Sequence, residues 1–278
     1  MKVWIEKQLA GEEDKATAER ILSKMGLEHE FSTDERILIN PNWIIDEPSS
    51  QGNVTSTSTI EGLVKFLIES TEIQAKNIIV GDGGYSSSTP GCMRTNKVFE
   101  LNEKYGIEIR NLNEEPMINK TIHDPLSLKT VKIAKIADEV DTIISVPSLK
   151  THSMAYTTLA LKNLMGVILP KGVIHRQLHR RIADLCSLFK EKLKLSLVDG
   201  IIGSDGYEIG GNPMPMGILI AGRDPVAVDT IGSAIIGYTS KQAKYLVEAS
   251  KKGLGTYRFE EIGVVGPNIN EICRKFKR

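Results

Sequence analysis

The chain has few cysteines. Its 278 residues include three, Cys92, Cys186 and Cys273. They are far apart and form no CxxC pair, so neither a ferredoxin-type cluster nor a cysteine-rich zinc site can be built locally. Cys186 lies in "RIADLCSLF", on the apolar side of a helical pattern, where a thiol serves as core packing. An odd, unpaired set predicts a reducing compartment. Long apolar runs are also missing. No stretch approaches the roughly 18 residues needed to span a bilayer. The start, "MKVWIEKQLAGEEDK", lacks the apolar region of a signal peptide. A cytoplasmic protein without membrane contact is expected. Net charge is absent as well: 35 Lys and Arg balance 35 Asp and Glu, which argues against bulk nucleic-acid binding. Finally, "GDGG" (81–84) is not GxGxxG, and "GYEIGGNPMPMG" is followed by neither GKS nor GKT, so no nucleotide-binding fingerprint is present.

What is present is an alternation of two patterns. Short Val/Ile/Leu-rich runs, among them "KVWIEKQL", "RILIN", "NIIVGDG", "IEIRNL", "DTIISVP", "LSLVDGI", "GILIAG" and "EIGVVG", read as strands covered on both faces. Helical patterns lie between them, near 13–25, 58–70, 128–138, 153–166, 175–193, 225–237 and 240–252. This predicts an α/β fold with mainly parallel or mixed sheets and helices on both faces. The chain reads as one unit, 1–278, divisible into lobes 1–135 and 136–278 with a cleft between them.

Polar residues gather just after the strand patterns. Asn40 and Asn42 follow "RILI", and Asp82 and Gly83 follow "NIIVG". Lys150 and His152 follow "DTIISVP", and Asp199 follows "LSLV". In a parallel sheet these positions converge on one rim, where ligands collect. One segment, 145–181, carries three of the five histidines and many Lys and Arg but no Asp or Glu. It is either a solvated surface or a site for something negative.

Pro147 is expected to end the strand, so that "SLKTH" leaves as a loop with Lys150 and His152 pointing the same way. Lysine supplies a point charge for phosphate or carboxylate, and histidine a proton near neutral pH. Lys162 and Asn163 sit in the apolar "TTLALKNLMGVI", where a lysine either snorkels or enters a cleft. Gly166 is expected to terminate that helix. His175 and His179, four apart, would share a helix side and could hold a metal, although HxxxH alone is a weak pattern and Arg176 replaces the Glu of HExxH. Arg176, Arg180 and Arg181 would face outward. Asp224 and Pro225 read as a helix start. Asp229, inside an apolar helix, needs a partner such as Lys150, Lys162 or a histidine. Asp199 in Asp-Gly is either a turn device or a site carboxylate.

Together "ISVPSLKTHSMAYTTLALKNLMGVILP", "HRQLHRRIADL", "LVDGIIG…GGNP" and "AGRDPVAVDTIG" resemble the DUF362 family, whose function is unassigned. "ILINPNW" and "IIVGDGG" fit the same pattern. The resemblance maps the family's characteristic positions onto Lys150, His152, Lys162, Asn163, His175, Asp199 and Asp229. Many relatives carry a Cys-rich ferredoxin-like segment, which this chain lacks. Where the family usually has a lysine before Pro-Asn, this chain has Asn40. By analogy of fold alone, Lys and several His in a cleft are similar to the lactate racemase family, which uses a nickel-pincer cofactor.

The residues therefore suggest three functions. One is an enzyme, or former enzyme, for a small anionic substrate or cofactor. In it Lys150, Lys162, Asn163, Asn42, Asp82 and Gly83 would bind, and His152, His175, Asp199 and Asp229 would do the chemistry. The second is a carrier using the same cleft. The third is a metal protein using His152, His175 and His179. The cofactor is left unspecified. The expected partner is a small anion, and a homo-oligomer is compatible with the sequence.

Overall fold

A computed structural model describes residues 1–85 and 87–278. Ser86, within the glycine- and serine-rich stretch after "NIIV", lies outside the described residues. The strands are β1 (Lys2–Lys7), β2 (Ile37–Pro41), β3 (Ile78–Asp82), β4 (Glu108–Asn111), β5 (Met117–Thr121), β6 (Thr130–Ala134), β7 (Thr142–Val146), β8 (Ser148–His152), β9 (Tyr156–Thr158), β10 (Ile168–Leu169), β11 (Leu193–Asp205), β12 (Asn212–Gly222) and β13 (Gly263–Val265). The helices are α1 (Asp14–Met25), α2 (Thr57–Ser70), α3 (Thr89–Thr95), α4 (Phe99–Tyr105), α5 (Lys135–Glu139), α6 (Ala160–Asn163), α7 (Leu178–Ser187), α8 (Pro225–Ile235), α9 (Tyr245–Lys251) and α10 (Ile269–Ile272).

A mixed sheet runs in the order β13-β1-β12-β11-β7-β2-β3-β4. From β11 to β4 all neighbours are parallel, while β12 is antiparallel to both β11 and β1. Period-two alternation explains why these strands read as continuous apolar runs. Ile37 and Ile39 face the layer that contains α1 and α2, and Leu38 faces the layer that contains α7 and α9. A third layer packs α8 on β1 and β12. Both faces are covered, so both sets of side chains are apolar.

The halves 1–135 and 136–278 share this sheet, because β2 pairs with β7 and β1 with β12. Strand order reverses between β2 and β7. The chain winds outward through β3 and β4 on one side, and through β11 on the other. Such a reversal opens a crevice at the carboxyl ends of the strands.

Several local expectations change. The 128–138 pattern is strand β6 followed by the short α5: Val131 and Ile133 are buried while Thr130 and Lys132 are exposed, which is the period of a strand. β6 belongs to a separate three-stranded sheet with β5 and β10. "SLKTH" is a strand, not a loop. Pro147 interrupts the chain, but β11 is 13 residues long and extends past β7, so β8 pairs with its outer half. The Pro147 carbonyl even accepts the Asp199 amide at 2.8 Å. The 153–166 pattern divides into β9, α6 and a 3-10 turn, Leu164–Val167.

Candidate functional site

The crevice holds a small pocket of about 70 Å³. Asn42 enters from the end of β2, Lys150 and His152 from β8, and Thr158 from β9. Lys162 comes from α6, and Lys171 and His175 from the turn that follows β10. Glu208 comes from the β11–β12 connection. Strand alternation sends Lys150 and His152 to the same side, as the sequence suggested.

Lys150 is held tightly. Its Nζ donates to Asn42 Oδ1 at 2.9 Å, to the Asn53 carbonyl at 2.6 Å and to the Glu208 carbonyl at 3.4 Å. Burial and the nearby Lys162 charge bring it down to about 7, while the three oxygens use all three ammonium hydrogens. Asn42 passes the network on, donating to Asn163 Oδ1 at 2.8 Å. Asn163 in turn donates to the Asn40 carbonyl at 2.8 Å. Asn40 reaches Asp82 Oδ1 at 3.1 Å, and Asp82 Oδ2 accepts the Trp43 amide at 2.7 Å. Asp82 is buried, which raises its proton affinity, and Lys171 acts against this. Asn163, Asp82 and Gly83 thus support the pocket without lining it. An uncharged Asn40 suits this place, since its amide ties together the ends of β2 and β3.

His152 has a defined tautomer. Its Nδ1 accepts the amides of Met154 at 3.0 Å and Ala155 at 3.2 Å. Nδ1 therefore carries no proton, and the neutral ring carries its hydrogen on Nε2. Burial, then the Lys162 charge, lowers its proton affinity to about 3. The ring is a neutral donor at pH 7. Glu208 lies 4.0 Å from Nδ1. That contact is not an ion pair, because Nδ1 is occupied as an acceptor. The Glu208 carboxylate binds Ser153, accepting from its amide at 3.1 Å and its hydroxyl at 3.0 Å. Burial works against its ionisation, but these bonds bring it to about 2.

Lys162 is different. It is 8% exposed, and among the described residues its Nζ has no hydrogen-bond acceptor. Burial lowers it to about 8, with Glu208 partly opposing. The Thr158 hydroxyl in the same pocket is likewise buried without a partner. Lys171, lowered by burial to about 8, donates to the carbonyls of Met165 at 3.1 Å and Ile168 at 3.2 Å.

Two carboxylates expected here lie elsewhere. Asp199 accepts the amides of Ser56 at 2.8 Å and Ile201 at 3.1 Å, holding the start of α2. Burial raises it to about 7. Asp229 accepts the amides of Ala160 at 2.8 Å and Leu161 at 3.1 Å, and the Tyr245 hydroxyl at 3.3 Å. Both do for neighbouring segments what a capping side chain does for its own helix. Asp229 is thus the anchor of α6, not the counter-ion of Lys162. Asp224 caps α8 through the Ala227 amide at 2.8 Å.

The histidine pair also separates. His175 lines the pocket, whereas His179 stacks on Tyr245 with ring centroids 6.4 Å apart. α7 begins only at Leu178, and Gln177 has φ of 59°. The left-handed residue breaks the helical spacing that would have aligned the two rings. Arg176 and Arg180 are exposed, and Arg181 is half-buried, donating to Ser127 Oγ at 3.1 Å. Lys171, Glu208 and Thr158 escaped sequence reasoning. Lys171 stood in plain view in the acid-free segment; Glu208 comes from a connection whose approach only the fold reveals.

Gly166 is not a helix terminator. A Cβ there would lie 1.8 Å from Asp82 Oδ1, so glycine is needed for close approach. Gly166→Ala should lower the urea midpoint by an amount equivalent to about 1–3 kcal/mol, read by chemical denaturation. An unchanged midpoint would mean that Asp82 has room to move.

An α/β protein with a lysine-rich pocket at a topological switch point is thus defined by its geometry. The chain matches the family described as "Domain of unknown function (DUF362)" over residues 37–234, and it belongs to that family. It is 23% identical over 212 residues to a thylakoid-associated protein of Synechocystis sp., a match covering 73% of this chain and 63% of that protein. The chain therefore spans less than two thirds of that relative's length. Among solved structures it is similar to the lactate racemase apoprotein from Thermoanaerobacterium thermosaccharolyticum, with 16% identity and a TM-score of 0.42 over 80% of this chain and 53% of that one. No helix among the described residues is long and apolar enough to cross a membrane.

Proposed function

We propose that the chain is a small-molecule enzyme whose substrate or organic cofactor carries a carboxylate or phosphate, held in this pocket. One observation carries the reading: Lys162, only 8% exposed, presents its ammonium to the pocket with no acceptor among the described residues. A buried cation is costly unless paired, and an oxyanion supplies the missing partner. The Thr158 hydroxyl and His152 Nε2–H add neutral donors. Lys171 and His175 add basic character at the wall. Lys162, brought near 8, is poised to exchange a proton with the ligand. His152 is better suited to donate a hydrogen bond than to act as a base.

The carrier reading is favoured by a separate feature. Lys150 is saturated by three oxygens, and His152 is locked as a donor, so little of the pocket is free to move protons. A cytoplasmic setting belongs to the same proposal, supported by three free cysteines, two of them buried.

The test starts with native mass spectrometry of small molecules retained on purification, and calorimetry with inorganic phosphate and acetate. Binding of at least one anion is expected; binding of neither would end the proposal. The retained molecule is then incubated with protein in heavy water. Deuterium entering its carbon skeleton, and not doing so with Lys162→Met, identifies an enzyme. Retention without exchange identifies a carrier.

A further inference from the structure

The pocket has two kinds of wall. Two of its basic groups lie deep, with Lys150 1% and Lys162 8% exposed. Ile44, Tyr85, Met165 and Ile209 form the apolar part of the lining. Tyr85 is 53% exposed, so its ring stands at the rim. Among the described residues, Tyr85 is the only one of the eight exposed large hydrophobic side chains that lines the pocket. An exposed apolar side chain standing alone needs no explanation, but one that joins Ile44, Met165 and Ile209 in the wall of a concave basic site does. Met and Tyr offer polarizable, flat surfaces suited to an aromatic ring. The free volume of about 70 Å³ leaves little room beyond a head group, so a larger ligand must extend over the rim.

We infer that the ligand is a free small molecule with two parts: an oxyanion seated at Lys162 and Thr158, and a flat aromatic body lying on Tyr85 beside the apolar wall of Ile44, Met165 and Ile209. This deepens the anion reading above and rests on it. The depth of Lys162 favours a soluble molecule over a lipid surface, because a head group still in its bilayer would have to bring the charge down past the rim.

Calorimetry on the full chain compares acetate with benzoate, and inorganic phosphate with phenyl phosphate. In at least one pair the aryl compound should bind about tenfold or more tightly, since burying a ring adds apolar contact that the parent anion lacks. Tyr85→Ser should shrink the aryl-to-parent ratio severalfold, and Tyr85→Phe should preserve it. Lys162→Met should weaken both members of the pair and leave the ratio. Aryl and parent anions binding equally, within twofold in both pairs, would overturn the inference and leave the anion reading standing. A gain that survives Tyr85→Ser undiminished would overturn it too, by placing the body elsewhere. No binding of any of the four would remove both readings. Co-sedimentation with phosphatidylcholine–phosphatidylglycerol vesicles, lost in Tyr85→Ser, would show that the rim serves a lipid surface, again overturning it.

Discussion

Replacing Lys162 by Met should weaken binding of phosphate or acetate about tenfold or more, because a hydrogen bond to a charged group contributes roughly 1.5–3 kcal/mol. The same change should make the unliganded protein more stable. Met keeps the apolar stem and removes a charge that has no acceptor among the described residues. Burial lowers Lys162 from 10.5 to about 8. At about 1.4 kcal/mol per tenfold change in proton affinity, the penalty is about 3 kcal/mol. A residue that costs stability and is required for binding is the pattern expected of a functional site. Arg180→Met is the control: Arg180 lies in the same basic segment but is exposed, and exposed charges contribute about 0–1 kcal/mol.

The pH dependence follows from the direction of that shift. Between about 8 and 10.5 the unfolded lysine still holds its proton while the folded one has lost it. The unfolded state binds more protons there, so stability of the wild type rises with pH. The advantage of Lys162→Met is therefore full below about 8 and gone above 10.5. Lys171 is lowered as well and cancels in the difference between wild type and variant. Lys150 is held down partly by the Lys162 charge, so it rises in the variant, and the difference reads Lys162 together with its repulsion of Lys150. Denaturant midpoints at pH 7 and pH 10.5 measure it, and a variant no more stable than wild type at pH 7 would mean that Lys162 has an acceptor.

The fold class was legible because it depends on local pattern. Ile37–Ile39, Ile78–Val80 and Ile143–Ile144 are apolar on both faces and sit in the parallel block. Lys150, His152 and Lys162 were legible as neighbours because they follow one strand in one basic segment. The roles of Asp199 and Asp229 were not. A carboxylate that holds the start of a distant segment and one that holds a substrate look the same in sequence, and only the positions of the Ser56, Ala160 and Leu161 amides separate them. The tautomer of His152 likewise depends on how the chain turns at Met154 and Ala155. The β8 strand was missed because Pro147 is a local signal, while the length of β11 that recovers the pairing is a nonlocal one.

Asp229→Ala should be among the most destabilising changes in the chain, although Asp229 does not line the pocket. It strips the acceptors from the amides of Ala160 and Leu161, both in fully buried residues. Unsatisfied buried donors cost about 1–3 kcal/mol each, so a loss of about 3 kcal/mol or more is expected by chemical denaturation. Asp229→Asn retains one acceptor oxygen and should lose less. Burial raises Asp229 from 3.8 to about 8, against the pull of the two amides and the Tyr245 hydroxyl. Between those values the folded state holds a proton that the unfolded state has released. Stability from this group therefore falls as pH rises through that window. The gap between wild type and Asp229→Asn should narrow from pH 5 to pH 8.5. Asp199, raised to about 7, remains in both proteins and cancels. A gap that widened would mean that the amides, not burial, set the charge of Asp229. Because α6 carries Lys162 on the turn that Asp229 anchors, anion affinity should fall together with stability in Asp229→Asn. In Lys162→Met the two move in opposite directions. That contrast separates the residue that holds the ligand from the residue that holds the helix.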